Sequence, residues 1–370
     1  MHHVLLLSCN TGEGHNSCAR ALEEYYLMMG DTCQITDALA FVSQDVSKLI
    51  SKGHVLMYRK FSGLCEWGYQ YAQKHRESLD ERSTLYRFFS KGVKALYAYI
   101  GENGFDQIIC THPFAAVMAS ELRRRCGLQI PIGFISTDYS CCPGVETTNL
   151  DVYFIPDALL TGEFEQCGIP KEKLCASGMP VGQSFYSHRP PVDAKRLFGI
   201  TPDHSHIVMA CGSMGCGPME ELAQILASRM GDRVELSVVC GTNAHLRESM
   251  EKQHENHPCV HVLGYVQEMS ALLDSADVYV TKPGGLSISE AKAKGTFMVL
   301  VNVVGGCEKY NLIHMLSSGC AITGDTPEEL AEQCMQAAQR GTHGWAPDGI
   351  NAAKVIYETM DRKGIESGTA

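Results

Sequence analysis

Short apolar runs that end in glycine-rich or polar turns and lead into helical apolar spacing recur along this chain. Val4-Leu5-Leu6-Leu7 reads as a buried strand, and the turn Asn10-Thr11-Gly12-Glu13-Gly14 follows it. Ala19, Leu22, Tyr26 and Met29 then recur at three- and four-residue steps, one apolar helix face, which Gly30-Asp31 stops. Gln34 to Asp37 is the next strand. Gln107 to Cys110 before Thr111-His112-Pro113, and Ile132 to Ile135 before Thr137-Asp138, repeat the unit. Strands alternating with helices predict a parallel sheet.

Around residues 178–196 the pattern breaks at Gly178, Pro180, Gly182, Pro190 and Pro191, and then restarts. Strand Ile207 to Ala210 leads into the loop Cys211-Gly212-Ser213-Met214-Gly215-Cys216-Gly217 and a helix that Pro218 opens at its first position, where a missing N–H costs nothing. Leu236 to Cys240, Val278 to Val280 and Phe297 to Val301 continue a second sheet. The expected fold class is therefore α/β, with two halves of one architecture. Their expected bounds are 1–180 and 181–345, with residues 346–370 as a carboxy-terminal helix packing back on the first domain.

Composition narrows this picture. Apolar residues make up 45% and charged residues 20% of 370 residues, a globular profile with room for two cores. The 17 cysteines are odd in number, scattered and without a C-x-x-C, so reduced thiols in a cytosol are expected, and the adjacent Cys141 and Cys142 are read as inert thiols. The amino terminus has no signal-peptide core, and no apolar run reaches the roughly 18 residues a membrane span needs. The formal charge of -11 argues against nucleic acid as a partner. Residues 41–100 depart from that balance, with ten Lys/Arg against five acids and a concentration of aromatics that includes Trp67, Tyr69, Tyr71, Phe88 and Phe89.

Two segments carry candidate chemistry. Gly12-Glu13-Gly14-His15 lies between strand and helix, where backbone N–H groups and the helix dipole attract an anion. It lacks the third glycine of a dinucleotide fingerprint, the Gly212 loop has its glycines in the order G-x-x-G-x-G, and no P-loop occurs, so neither NAD nor P-loop chemistry is supported. His15 at a helix start is kept neutral and is a candidate general base; a histidine that only caps the helix is the alternative. Thr281-Lys282-Pro283-Gly284-Gly285-Leu286-Ser287-Ile288-Ser289-Glu290-Ala291 leaves a strand, turns through two glycines and enters a helix. Its backbone amides suit a diphosphate and Glu290 suits the paired hydroxyls of a ribose; routine helix capping is the alternative.

Thr281 to Ala291, then Lys294-Gly295 and Gly305-Gly306-Cys307-Glu308-Lys309-Tyr310-Asn311, resembles the donor-binding segment of the family that holds monogalactosyldiacylglycerol synthases, bacterial processive diacylglycerol glucosyltransferases and, more distantly, MurG (glycosyltransferase family 28). Thr11-Gly12-Glu13-Gly14-His15-Asn16 resembles the family's other signature, and Thr111-His112-Pro113, Thr137-Asp138 and Gly178-Met179-Pro180-Val181 fall in the expected order. The resemblance implies a GT-B fold, two Rossmann-like domains with parallel sheets facing across a cleft. It implies inverting transfer of a hexose, glucose or galactose, from a UDP-sugar to diacylglycerol, in the synthesis of membrane glycolipid.

By the same resemblance Glu290 binds ribose, and Gly12, Gly14, Pro283, Gly284, Gly285, Ser287, Gly212, Ser213 and Gly215 approach the diphosphate side of the donor. Gly264-Tyr265-Val266 holds uracil, and Glu308 and Asn311 meet the sugar. His15 is the base or orients it, and His112 and Asp138 are acceptor-side candidates. No cofactor and no metal are expected. Cys307 stands where the sugar loop usually has glutamine, Cys142 stands where a histidine is common and a tryptophan is common near Val145, which leaves the donor sugar and the acceptor open.

The stretch 41–100 lies where that family's first domain touches membrane. Phe88, Phe89, Lys91, Lys94, Tyr97 and Tyr99 are expected at an anionic bilayer surface, aromatics inserted and lysines on headgroups; an amphipathic region packed on the domain is the alternative. A peripheral protein on the inner face of the cell membrane follows. Competing functions are a MurG-like transferase with another lipid-linked acceptor, a UDP-sugar epimerase of the same build, and a donor-binding protein without catalysis; retention of His15 argues against the last.

Overall fold

A computed structural model describes residues 1–10, 13–43, 45, 71, 73–76, 83–212, 217–301, 306–340 and 349–368. The chain divides into two compact units, one of Met1–Gln183, Gly305–Tyr310 and Ile350–Ala370, the other of Ser184–Val304 and Asn311–Gly349.

Unit 1 runs β1 (His3–Ser8), α1 (Glu13–Met28), β2 (Thr32–Asp37), α2 (Thr84–Phe89), α3 (Val93–Asn103), β3 (Gln107–Cys110), α4 (Pro113–Cys126), β4 (Ile132–Ile135), β5 (Val152–Ile155), α5 (Thr161–Gln166) and β6 (Leu174–Ala176). Its six strands are parallel in the order β2-β1-β3-β4-β5-β6. Parallel strands need a crossover between neighbours, and the inner ones are covered on both faces, which explains why β1, β3, β4 and β5 hold continuous rather than alternating apolar runs. Val4 to Leu7 have no exposed surface.

Unit 2 repeats the plan with α6 (Pro191–Leu197), β7 (Ser205–Met209), α7 (Met219–Arg229), β8 (Val234–Val239), α8 (Ala244–Gln253), β9 (Val260–Leu263), α9 (Met269–Ser275), β10 (Val278–Thr281), α10 (Gly285–Lys294), β11 (Met298–Val301), α11 (Cys307–Ser317), β12 (Ala321–Gly324) and α12 (Pro327–Arg340). The first turn of α11 belongs to unit 1. The second parallel sheet has the order β12-β11-β10-β7-β8-β9. Leu222, Leu226, Leu236, Val238, Val280 and Leu330 are among the side chains of its core. Pro218 stands at the N-cap of α7, one position earlier than the expected first helical residue, with φ -80 and ψ 44. There too its missing N–H leaves no helical bond unmade.

The last helix, α13 (Ala352–Ser367), is part of unit 1. It lies so close to β4 that a Cβ on Gly133 would stand 3.0 Å from the Met360 sulfur, so a larger residue there would require Met360 to shift. Tyr357 adds ring contacts to Tyr25 and Tyr26 at 5.8 and 4.8 Å. Among the described residues no helix is long and apolar enough to cross a membrane.

Most of the basic aromatic stretch, including Trp67 and Tyr69, lies outside the described residues. Its described end corrects one expectation. Phe89 is 3% exposed and stacks on Phe114 with ring centroids 4.0 Å apart, so it is a core residue and not an inserting one. Tyr99 packs against Phe41 and Phe105 at 5.3 and 5.7 Å. Lys91, Lys94 and Tyr97 are exposed, and the Lys91 ammonium lies 5.7 Å over the Phe88 ring.

Candidate active site

In each unit the candidate residues gather at the carboxyl ends of the parallel strands, where open α/β sheets bind ligands. In unit 1 three strand ends contribute. The loop after β1 is tied by Ser8 Oγ donating to Asn16 Oδ1 at 2.7 Å and by Asn16 Nδ2 donating to Asn10 Oδ1 at 3.1 Å. That fixes the start of α1 and, with it, His15 in its first turn. The end of β3 supplies Thr111 and His112, and the end of β4 supplies Thr137 and Asp138.

His15 Nδ1 lies 2.7 Å from the Thr111 carbonyl oxygen and 2.9 Å from Thr137 Oγ1. A carbonyl can only accept, so Nδ1 carries the proton in the neutral ring and Nε2 keeps its lone pair. Burial pushes the His15 pKa below its ordinary value, against the opposing pull of Asp138 and the Thr111 bond. The ring is thus a neutral base with a fixed tautomer. The His112 ring meets it edge-on with centroids 4.5 Å apart. His112 is itself the N-cap of α4, its Nδ1 accepting from the Phe114 N–H at 3.1 Å, which leaves its Nε2 to carry the proton.

Unit 2 brings Gly212, Tyr265, Val266, Pro283, Gly284, Gly285, Ser287 and Glu290 to the ends of β7, β9 and β10. Gly284 is the N-cap of α10 and has no side chain to offer, so the orphan first-turn amides are left for an anion. Asn311, fully buried, donates through Nδ2 to the Pro283 carbonyl at 3.0 Å and holds this loop. Gly212 adopts φ +76, and a Cβ on it would stand 3.1 Å from Lys282 Cε. The lysine ammonium stem therefore runs against the loop that follows β7. Lys282 has no assigned part in the sequence motif, yet its place directly after β10 in Thr-Lys-Pro-Gly-Gly is a local signal for it.

Glu290 lies one turn into α10. Burial raises its pKa to about 8, with no opposing cation among the causes. Tyr265 is 70% exposed on its loop, and the absence of a side chain at Gly264 lets the Arg247 guanidinium lie against that loop. Glu308 is buried in the first turn of α11. Gly14 is described, in the first turn of α1; Gly12, Ser213 and Gly215 lie outside the described residues. Among the described residues no cluster of His, Cys, Asp and Glu has the makings of a metal site.

Comparison with known proteins agrees with these two halves. Residues 15–181 match the model of the monogalactosyldiacylglycerol (MGDG) synthase family, and residues 208–340 match that of glycosyl transferases group 1. The chain is 27% identical over 331 residues to a processive diacylglycerol beta-glucosyltransferase of Bacillus subtilis (strain 168), with 89% of this chain and 85% of the relative covered. Among solved structures it resembles MurG of Acinetobacter baumannii (TM-score 0.63, 14% identity, 99% of this chain and all of the other). It also resembles the UDP-GlcNAc 2-epimerase of Neisseria meningitidis bound to UDP-GlcNAc (TM-score 0.62, 13% identity, 98% and 100%). These structural likenesses show the fold, GT-B with two Rossmann-like units.

Proposed function

Because this chain is a glycosyltransferase related to the monogalactosyldiacylglycerol synthases and the processive diacylglycerol glucosyltransferases, we propose that it transfers a hexose from a UDP-sugar to the hydroxyl of diacylglycerol, with inversion at the sugar carbon. The observation that carries this reading is the His15 ring, neutral and with Nε2 left free by the Nδ1 bond to the Thr111 carbonyl.

In the proposed reaction Nε2 takes the proton of the acceptor hydroxyl as its oxygen forms the bond to the anomeric carbon. The bond from that carbon to the diphosphate oxygen breaks, and UDP leaves. His112 and Asp138 flank the acceptor side; the Asp138 charge favours the imidazolium that forms. On unit 2 the amides of Gly285 and Ser287 meet the diphosphate. Lys282 and the dipole of α10 offset the charge of the leaving group without a metal. Gly212 leaves room for the phosphates, Tyr265 and Val266 hold uracil through their backbone, and Glu290 receives the ribose hydroxyls. Glu308 and Asn311 meet the sugar. Support for diacylglycerol comes from the names of the relatives. A hydroxyl carried on a membrane lipid implies a peripheral protein on the inner face of the cell membrane.

His15→Ala tests the base directly. Turnover is expected to fall by about 10²–10⁴-fold, the usual contribution of a general base, while UDP affinity on titration stays as it was. Turnover equal to that of the parent would remove His15 from the chemistry.

A further inference from the structure

Unit 1 holds a second cluster of reactive side chains, apart from the groups bonded to His15. Cys141, in the segment after β4, has no exposed surface, and its backbone N–H donates to Glu163 Oε1 at 2.8 Å. Glu163 is on α5, and Cys167 is that helix's C-cap, with its N–H bonded to the Glu163 carbonyl at 3.0 Å. Residues four apart share a helix face, so Cys167 stands on the side of α5 that Glu163 turns toward Cys141. The Glu163 contact thus brings Cys141 beside the end of α5 that carries Cys167, and each thiol acts on the charge of the other. Arg76 completes the cluster: its guanidinium donates to the Cys141 carbonyl, lies 3.8 Å from Cys141 Sγ and pairs with Glu146 at 3.0 Å. Cys167, unlike Cys141, is partly exposed.

The pair is electrostatically divided. The neighbouring Cys141 thiol and the charge of Arg76 bring Cys167 down to about 7 against the effect of burial, while the Cys167 thiol and burial push Cys141 up. A thiolate that solvent reaches, beside a cation and a second thiol, is the arrangement that oxidants select. Neither cysteine has a part in the proposed transfer.

We propose that Cys167 and Cys141 are an oxidisable pair, in which Cys167 reacts first with a peroxide and Cys141 then closes a disulfide. The Cys167 thiolate attacks one peroxide oxygen, the O–O bond breaks, and the departing hydroxide takes a proton to become water. Cys167 is left as sulfenic acid. Cys141 sulfur then attacks Cys167 sulfur, the S–O bond breaks, and the hydroxide that leaves takes the Cys141 proton. Two thiols and one hydrogen peroxide give one disulfide and two waters. The bond would tie the segment that carries Thr137 and Asp138 to the end of α5.

The test is peptide mapping of the full chain after treatment with one equivalent of hydrogen peroxide and capping of remaining thiols with N-ethylmaleimide. A peptide joining Cys141 to Cys167 is expected in the parent chain and in Cys142→Ser, lost on adding dithiothreitol and absent from Cys167→Ser. Recovery of Cys167 as sulfinic acid, or joined to another cysteine, would overturn the proposal. A second readout uses only the parent chain: the pH dependence of Cys167 alkylation by iodoacetamide, expected half-maximal near 7. A midpoint at the ordinary thiol value of about 8.5 would overturn it equally.

Discussion

His15 and Glu290 are both pushed toward their neutral forms by burial, one a base with a lowered pKa and the other an acid raised to about 8. For Glu290 the consequence can be worked out by sign. At pH 7 the free carboxyl is mostly protonated. Ribose hydroxyls that donate to it favour the carboxylate, so its pKa falls on binding and a proton leaves. Calorimetry at pH 7 in two buffers of different ionisation heat should therefore show proton release on UDP binding, and Glu290→Gln should show none. Heat that is the same in both buffers would remove Glu290 from the ribose. His15 was legible because a glycine-flanked turn and a helix start are local signals. Its partners were not, since Thr111 and Thr137 lie 96 and 122 residues away and reach it only through the order of strands in the sheet.

Among elements, the inner strands were legible for the reason they are stable. β1, β3, β4, β7, β10 and β11 are buried on both faces, so each holds a short apolar run, whereas β8, equally buried, carries Glu235 and Ser237 within its run. β6, β9 and β12 are edge strands with partly exposed residues and gave no such run. β5 is the exception: Val152-Tyr153-Phe154-Ile155 is fully buried and could have been read. The end of α10 is held by a polar device that no pattern of apolar residues announces. Lys294, whose side chain has no exposed surface, pairs with Asp274 at 2.8 Å and also bonds the Ser187 carbonyl. Removing one partner of a buried pair leaves the other charge uncompensated, at a cost of about 3–5 kcal/mol. Lys294→Met is thus expected to lower the unfolding free energy from urea denaturation by that measure, and a free energy within about 0.5 kcal/mol of the parent would show that Asp274 is satisfied without it.

For the molecule as a whole, the charge of -11 would keep it from an anionic bilayer unless a local basic surface overrides it. Lys91 and Lys94 are exposed in the described part of the basic stretch. Each lysine near such a surface contributes about 1 kcal/mol, so Lys91→Glu with Lys94→Glu should weaken binding to vesicles rich in anionic lipid at least tenfold, more at low salt than at high. Binding that ignores both substitutions and salt would assign these residues to the alternative, an ordinary amphipathic surface. The central claim is sugar transfer to a lipid hydroxyl. Its most direct measurement is incubation of the purified chain with labelled UDP-glucose or UDP-galactose and diacylglycerol vesicles, followed by mass and linkage analysis of the lipid extract. The expected result is a β-linked hexosyl-diacylglycerol formed with one UDP per sugar; label recovered only as unchanged donor, or as a second UDP-sugar, would contradict it.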